Sequence, residues 1–164
     1  MNSTFAKIDE TTQNQPRPSQ HFREEHIEIK KHLHHIEEWT GELKSLSPEK
    51  QKEQMQKIVK FFVEHIKPHA DWEEKKLYPA VDKRTAKSSD AFTTTMRYEH
   101  KIVGRWINDL SDEAKKKPSN PNHFSRKTDQ LLGLIYAHFE EEEEVLLPIL
   151  DKTMSAEDFK KEID

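Results

Sequence analysis

The chain has 164 residues, enough for one domain with a modest core. Hydrophobic residues make up 32% and charged residues 35%, with three glycines, a balance that argues against an all-β fold and suits long amphipathic helices with solvated outer faces. A net charge of −4 without a basic run argues against nucleic acid as a partner, and the lack of cysteine excludes disulfides, thiolate nucleophiles and iron–sulfur clusters.

Residues 1–20 carry Pro16 and Pro18 and no periodicity, which predicts a flexible tail. They also lack the apolar run of a signal peptide, so a cytoplasmic protein is expected. No stretch approaches the roughly 20 apolar residues of a membrane span. The first predicted helix places Phe22, Ile29, Leu33, Ile36 and Leu43 on one stripe. Ser47 and Pro48 signal the start of a second, with Met55, Ile58, Phe62, Ile66 and Val81 inward. Ser88, Ser89 and Asp90 offer N-caps to a third, striped by Met96, Val103, Ile107 and Leu110. Asn120-Pro121 opens the fourth, with Leu131, Leu134, Val145 and Ile149. The folded unit is expected over 21–152, and 153–164 is read as a tail with a short helix capped by Ser155 and Asp158. Long helices and short loops predict an all-α antiparallel up-down-up-down four-helix bundle.

The chain repeats itself. HADWEEKKLYP at 69–79 returns as HFEEEEEVLLP at 138–148, and REEHIEIKKHLHHIEE aligns with RYEHKIVGRWINDLSD so that Glu25-His26 matches Glu99-His100. First helix matches third and second matches fourth, giving two similar helix hairpins. His69 and Glu73, and likewise His138 and Glu142, lie four apart on the inward seams, where one imidazole and one carboxylate share a helical face. His26 and His100 fall on the other two seams. Buried carboxylates are costly unless paired or metal-bound, and no arginine or lysine stands on these seams to neutralise them. The duplicated motif therefore predicts a pair of metal ions. His34 and His35 face outward and His32 flanks the seam. His21 and His123 lie near helix starts, and Glu141 and Glu144 belong to a solvated acidic run. Trp39, Trp72 and Trp106 are read as packing residues, and Tyr78 and Leu147, with Pro79 and Pro148, as residues that shape helix ends. Pro68 predicts a kink beside His69.

At these residues the sequence resembles the haemerythrin-like, or HHE cation-binding, family over about 21–152. The resemblance implies a four-helix bundle with two iron ions joined by an oxo or hydroxo bridge, with manganese or zinc as lesser alternatives. It implies His26, His69, Glu73, His100, His138 and Glu142 as metal ligands. His65, one turn before His69, is a candidate for a further ligand, and Glu74 and Glu143 for carboxylates that hold the imidazoles. The ferritin-like alternative needs Glu-x-x-His pairs, and no histidine here has a glutamate three residues before it. Oxygen-carrying haemerythrins have a further histidine four residues after the third-helix ligand, where this chain has Gly104, and aspartate near the position of Glu142. That departure leaves a coordination position open. The implied function is binding of, or reaction with, dioxygen, peroxide or nitric oxide as a sensor, scavenger or oxidase-type enzyme. A reversible oxygen carrier and an iron-sensing binding module are the alternatives.

Overall fold

The computed structural model describes residues 17–85 and 90–163, and every regular element among them is helical. Helix α1 (Gln20–Glu42) ends in a short 3-10 turn (Leu43–Ser45). Helix α2 runs over residues 48–84, α3 over Asp90–Lys115, α4 over residues 121–153 and α5 over Ala156–Glu162. Among the described residues no helix is long and apolar enough to cross a membrane.

The helices start where local chemistry allows. Asn120 caps α4 by accepting from the His123 N–H at 3.0 Å, and Ser155 caps α5 by accepting from Asp158. Pro48 occupies the first turn of α2, but the Ser47 side chain makes no capping bond. Ser88, Ser89 and the Asp90 side chain lie outside the described residues, as do residues 1–16 of the expected tail. Ser19, also expected in that tail, is buried, and its N–H and hydroxyl both donate to the Asp151 carboxylate at 2.9 Å.

Among the described residues, three single-turn π segments interrupt the long helices: Phe62–Ile66, Glu73–Leu77 and Glu142–Leu146. Each ends two residues before a proline, namely Pro68, Pro79 and Pro148. A proline within a helix offers no N–H and crowds the carbonyl four residues back. The wider turn absorbs that conflict: the residue before each proline bonds five residues back, Tyr78 to Glu73 and Leu147 to Glu142. The extra residue also resets the buried face. In α4 the buried positions run 138, 142, 146 and 150, so Val145, expected inward, is 45% exposed, while Leu146 and Leu147 are both fully enclosed.

The core has two apolar layers. One holds Ile29, Leu33, Ile66, Val103, Ile135 and Phe139 among others, and the second holds Phe22, Leu77, Tyr78, Met96, Leu146 and Leu150. His26, His69, Glu73, His138 and Glu142 are buried between them.

Candidate metal centre

Two groups of side chains converge in the polar layer. His26, His69, Glu73 and Glu142 bring one donor atom each within 4.8 Å of one another, and Glu73, His100, His138 and Glu142 do the same. Both carboxylates belong to both groups. The sequence-predicted set of four histidines and two glutamates is thus brought together by α1, α2, α3 and α4.

The imidazoles all turn Nε2 inward. His26 Nε2 stands 3.2 Å from His69 Nε2, and His100 Nε2 stands 3.0 Å from His138 Nε2. Glu73 reaches both pairs, with Oε1 2.7 Å from His69 and Oε2 3.0 Å from His100. Glu142 lies 3.4 Å from His26 through Oε2 and 3.4 Å from His138 through Oε1. Two donors at right angles on one ion, with metal–nitrogen bonds of about 2.1 Å, are about 3 Å apart. The observed spacings fit that requirement. Moreover, both Glu73 oxygens and Glu142 Oε2 are buried with no aligned hydrogen-bond donor. Native interiors rarely leave such atoms unpartnered, and a cation satisfies them.

The outer nitrogens form a ring of carboxylates. His26 Nδ1 meets Glu143 at 3.0 Å, His69 Nδ1 meets Glu25 at 3.2 Å, His100 Nδ1 meets Glu74 at 3.1 Å, and His138 Nδ1 meets Glu99 at 2.7 Å. Each histidine is held by a glutamate from another helix: α4 serves α1, α1 serves α2, α2 serves α3 and α3 serves α4. A carboxylate on Nδ1–H fixes the tautomer that leaves the Nε2 lone pair facing the interior.

Among the protein groups alone, proton uptake provides the compensating charge. Burial by itself would lower the His69 pKa, but the Glu73 charge 2.7 Å away and the bond to Glu25 overcome it and push His69 up to about 10. His138 is pushed up to about 12 against the same burial by Glu142, Glu73 and Glu99. Burial would raise Glu73, yet the His69 charge and the surrounding imidazoles hold it well below the usual carboxylate range. The interior therefore demands positive charge beside its two carboxylates, supplied by protons or by metal.

The comparisons agree with this geometry. The family model described as Hemerythrin HHE cation binding domain matches residues 17–150, which contain every residue of both groups. The chain belongs to the haemerythrin HHE family. Comparison with curated proteins and with solved structures gave no match.

Several other readings change within this haemerythrin-like centre. His65 does not join it. Its side chain is exposed and packs against Phe61 and His32, because Ile66 takes the buried face one turn before His69. Tyr78, read as shaping a helix end, is fully buried and donates from Oη to Glu142 Oε1 at 2.7 Å. Burial, with the charges of Glu73 and Glu142, raises the pKa of its phenol far above the ordinary value. Glu25 and Glu99 carry a role the sequence reading missed, although the duplicated Glu-His doublet was visible. A duplicated polar residue beside each candidate ligand was the available signal. Tyr78 offered none, because the second copy has Leu147 there. Glu141 and Glu144 are exposed as expected, and His34 and His35 pair at the surface with Glu37 and Glu38.

Proposed function

We propose that this chain holds two iron ions, one on each group of donors, within an antiparallel up-down-up-down bundle, and that it binds or reacts with dioxygen, peroxide or nitric oxide. The observation that carries this reading is the sharing of Glu73 and Glu142 by two histidine pairs. Support for the topology comes from contacts whose residue numbers fall on one helix as they rise on the other: Ser19, just before α1, and His26 and Thr40 of α1 meet Asp151, Glu143 and Ser125 of α4. Imidazole and carboxylate donors without sulfur suit iron or manganese. His26, His69, His100 and His138 would hold the ions from the sides, with Glu73 and Glu142 between them. When bound, a ferrous pair supplies two electrons to a small oxidant.

The protein's own groups set the size of the ligand. Beside Glu73, His69, His100 and His138, with Ile66, Val103 and Phe139, lies a cavity of about 10 Å³, room for little more than one water-sized molecule. It borders a surface cavity of about 200 Å³ lined by Ala70, Glu74, His100 and Gly104. This access favours a diatomic or peroxide over an organic substrate in direct contact with the centre. The two apolar layers keep the surroundings dry and the electrostatic interactions strong.

The test is optical. Protein loaded with ferrous iron under nitrogen receives oxygen, and the visible spectrum is recorded before and after the oxygen is stripped out. Irreversible oxidation is expected and points to a sensor, scavenger or oxidase-type enzyme. A spectrum that returns to its starting form marks a reversible carrier, and no change on adding oxygen overturns the reading.

A further inference from the structure

We propose that Tyr78 is a direct metal ligand through its phenolic oxygen, on the His100–His138 side of the centre only. The inference rests on the two-metal reading above and extends it to a residue outside the duplicated motif.

Position is the first argument. Tyr78 Oη lies 3.1 Å from His100 Nε2, 3.3 Å from His138 Nε2 and 2.7 Å from Glu142 Oε1. Those separations match the 3.0 Å between the two imidazole nitrogens themselves. The oxygen therefore stands as one more vertex in a set of donors spaced as neighbours on a single ion. A tyrosine that only bonded to Glu142 would not need both nitrogens at equal reach.

Rigidity is the second. The ring has no exposed surface, stacks on His100 with centroids 5.4 Å apart, and carries the Arg97 guanidinium 5.2 Å above it. It also follows the π segment Glu73–Leu77, whose extra residue lets Leu77 and Tyr78 both turn inward.

Asymmetry is the third. On the His26–His69 side the equivalent position is Leu147, which cannot coordinate, so the repeat supplies this oxygen once. Gly104 stands on the same side as Tyr78, where the sequence predicts a missing donor. Tyr78 supplies an oxygen from a different helix to that half. On coordination the phenol loses its proton to solvent and its hydrogen bond to Glu142, and Glu142 Oε1 becomes free to serve as a donor.

The full-length chain loaded with ferric iron tests this. Coordinated phenolate gives a broad visible charge-transfer absorption and resonance-enhanced ring vibrations. The chain has three tyrosines, so Tyr78→Phe, Tyr98→Phe and Tyr136→Phe assign the signal. The expected result is a band in the parent protein that disappears in Tyr78→Phe alone, with iron still bound and one of the two ions held about 10-fold or more weaker. Phenylalanine keeps the buried ring, and thermal melting of the variant checks that the fold survives. Two bound irons without the band, or a band that survives Tyr78→Phe, overturns the assignment while leaving the two-metal reading intact. A parent protein that binds no iron overturns both.

Discussion

The two halves of the centre share a donor pattern and differ in what surrounds it. Around His26 and His69 the neighbours are rings: Phe139 stacks on His26 at 4.1 Å, and Phe22 packs on His26, His69 and Trp72. Lys30 reaches Glu143 at 2.7 Å and completes a charged chain to the outside. Around His100 and His138 the corresponding places hold Ala70, Met96 and Gly104, with Tyr78 against the donors. One half is sealed by aromatic packing and the other has a polar hydroxyl within, while the small internal cavity touches His69 as well as His100 and His138. A duplicated motif thus yields two unlike sites, because the residues between the motif positions are not duplicated.

The largest expected effect removes the comparison altogether. Glu73→Ala and Glu142→Ala each delete a carboxylate common to both donor groups, so on the proposed two-ion reading each variant should hold fewer than two ions, measured as metal per chain. Retention of two ions by both variants would mean that the shared carboxylates are wrongly assigned. Chelation of the unmutated protein should also lower its melting temperature, since metal present at 100 times its dissociation constant stabilises by about 2.7 kcal/mol.

Opening the sealed half comes next. Phe139 is 2% exposed, and Phe139→Ala should cost about 3–5 kcal/mol in urea unfolding. A cost below about 1 kcal/mol would show that the aromatic seal contributes little to the fold. The outer carboxylates then compare the halves directly. Glu99→Gln and Glu25→Gln should each weaken metal binding about 10–100-fold. The larger loss is expected at Glu99, whose side chain is 17% exposed and 2.7 Å from its histidine, against 45% and 3.2 Å for Glu25. The reverse order would shift the weight to the sealed half.

Access is tested at Gly104, where an added Cβ meets nothing within 4 Å. Gly104→Leu should leave metal content unchanged and slow oxidation of the ferrous protein by several-fold, followed by stopped-flow absorbance. An unchanged rate would place the access route elsewhere. The smallest effect concerns α5, which lies over the sealed half: Phe159 lines a surface cavity with Phe22, Glu25 and Trp72. The hydrogen bond from Arg84 to Glu162 lowers the Glu162 pKa below 4.5. Its contribution is present above that value and is lost as pH falls through the lowered one. Protection of the α5 amides against hydrogen exchange, taken relative to the intrinsic rate at each pH, should therefore fall slightly on acidification, and Arg84→Met should remove that change.

Much of the candidate site was legible because its logic is periodic. Histidine and glutamate four apart on an apolar stripe must share an inward face, and a second copy in register makes coincidence a poor account. His65 was misread for a local reason, since the π segment before Pro68 and the buried Ile66 leave it outside. Glu25 and Glu99 sat in plain view as part of a doublet, but a charge adjacent to a ligand on one helix does not reveal that it serves a histidine on another.

The sequence by itself determined the helices, the repeat, the inward histidines and glutamates, and hence the family, because helical periodicity and motif spacing are properties of a single strand of chain. Tertiary structure decided which carboxylate orients which imidazole, which half is sealed, and that Tyr78 reaches the donors. Those depend on contacts between helices, where wide turns before three prolines reset the buried face, and distances across a bundle are not written in the order of its residues.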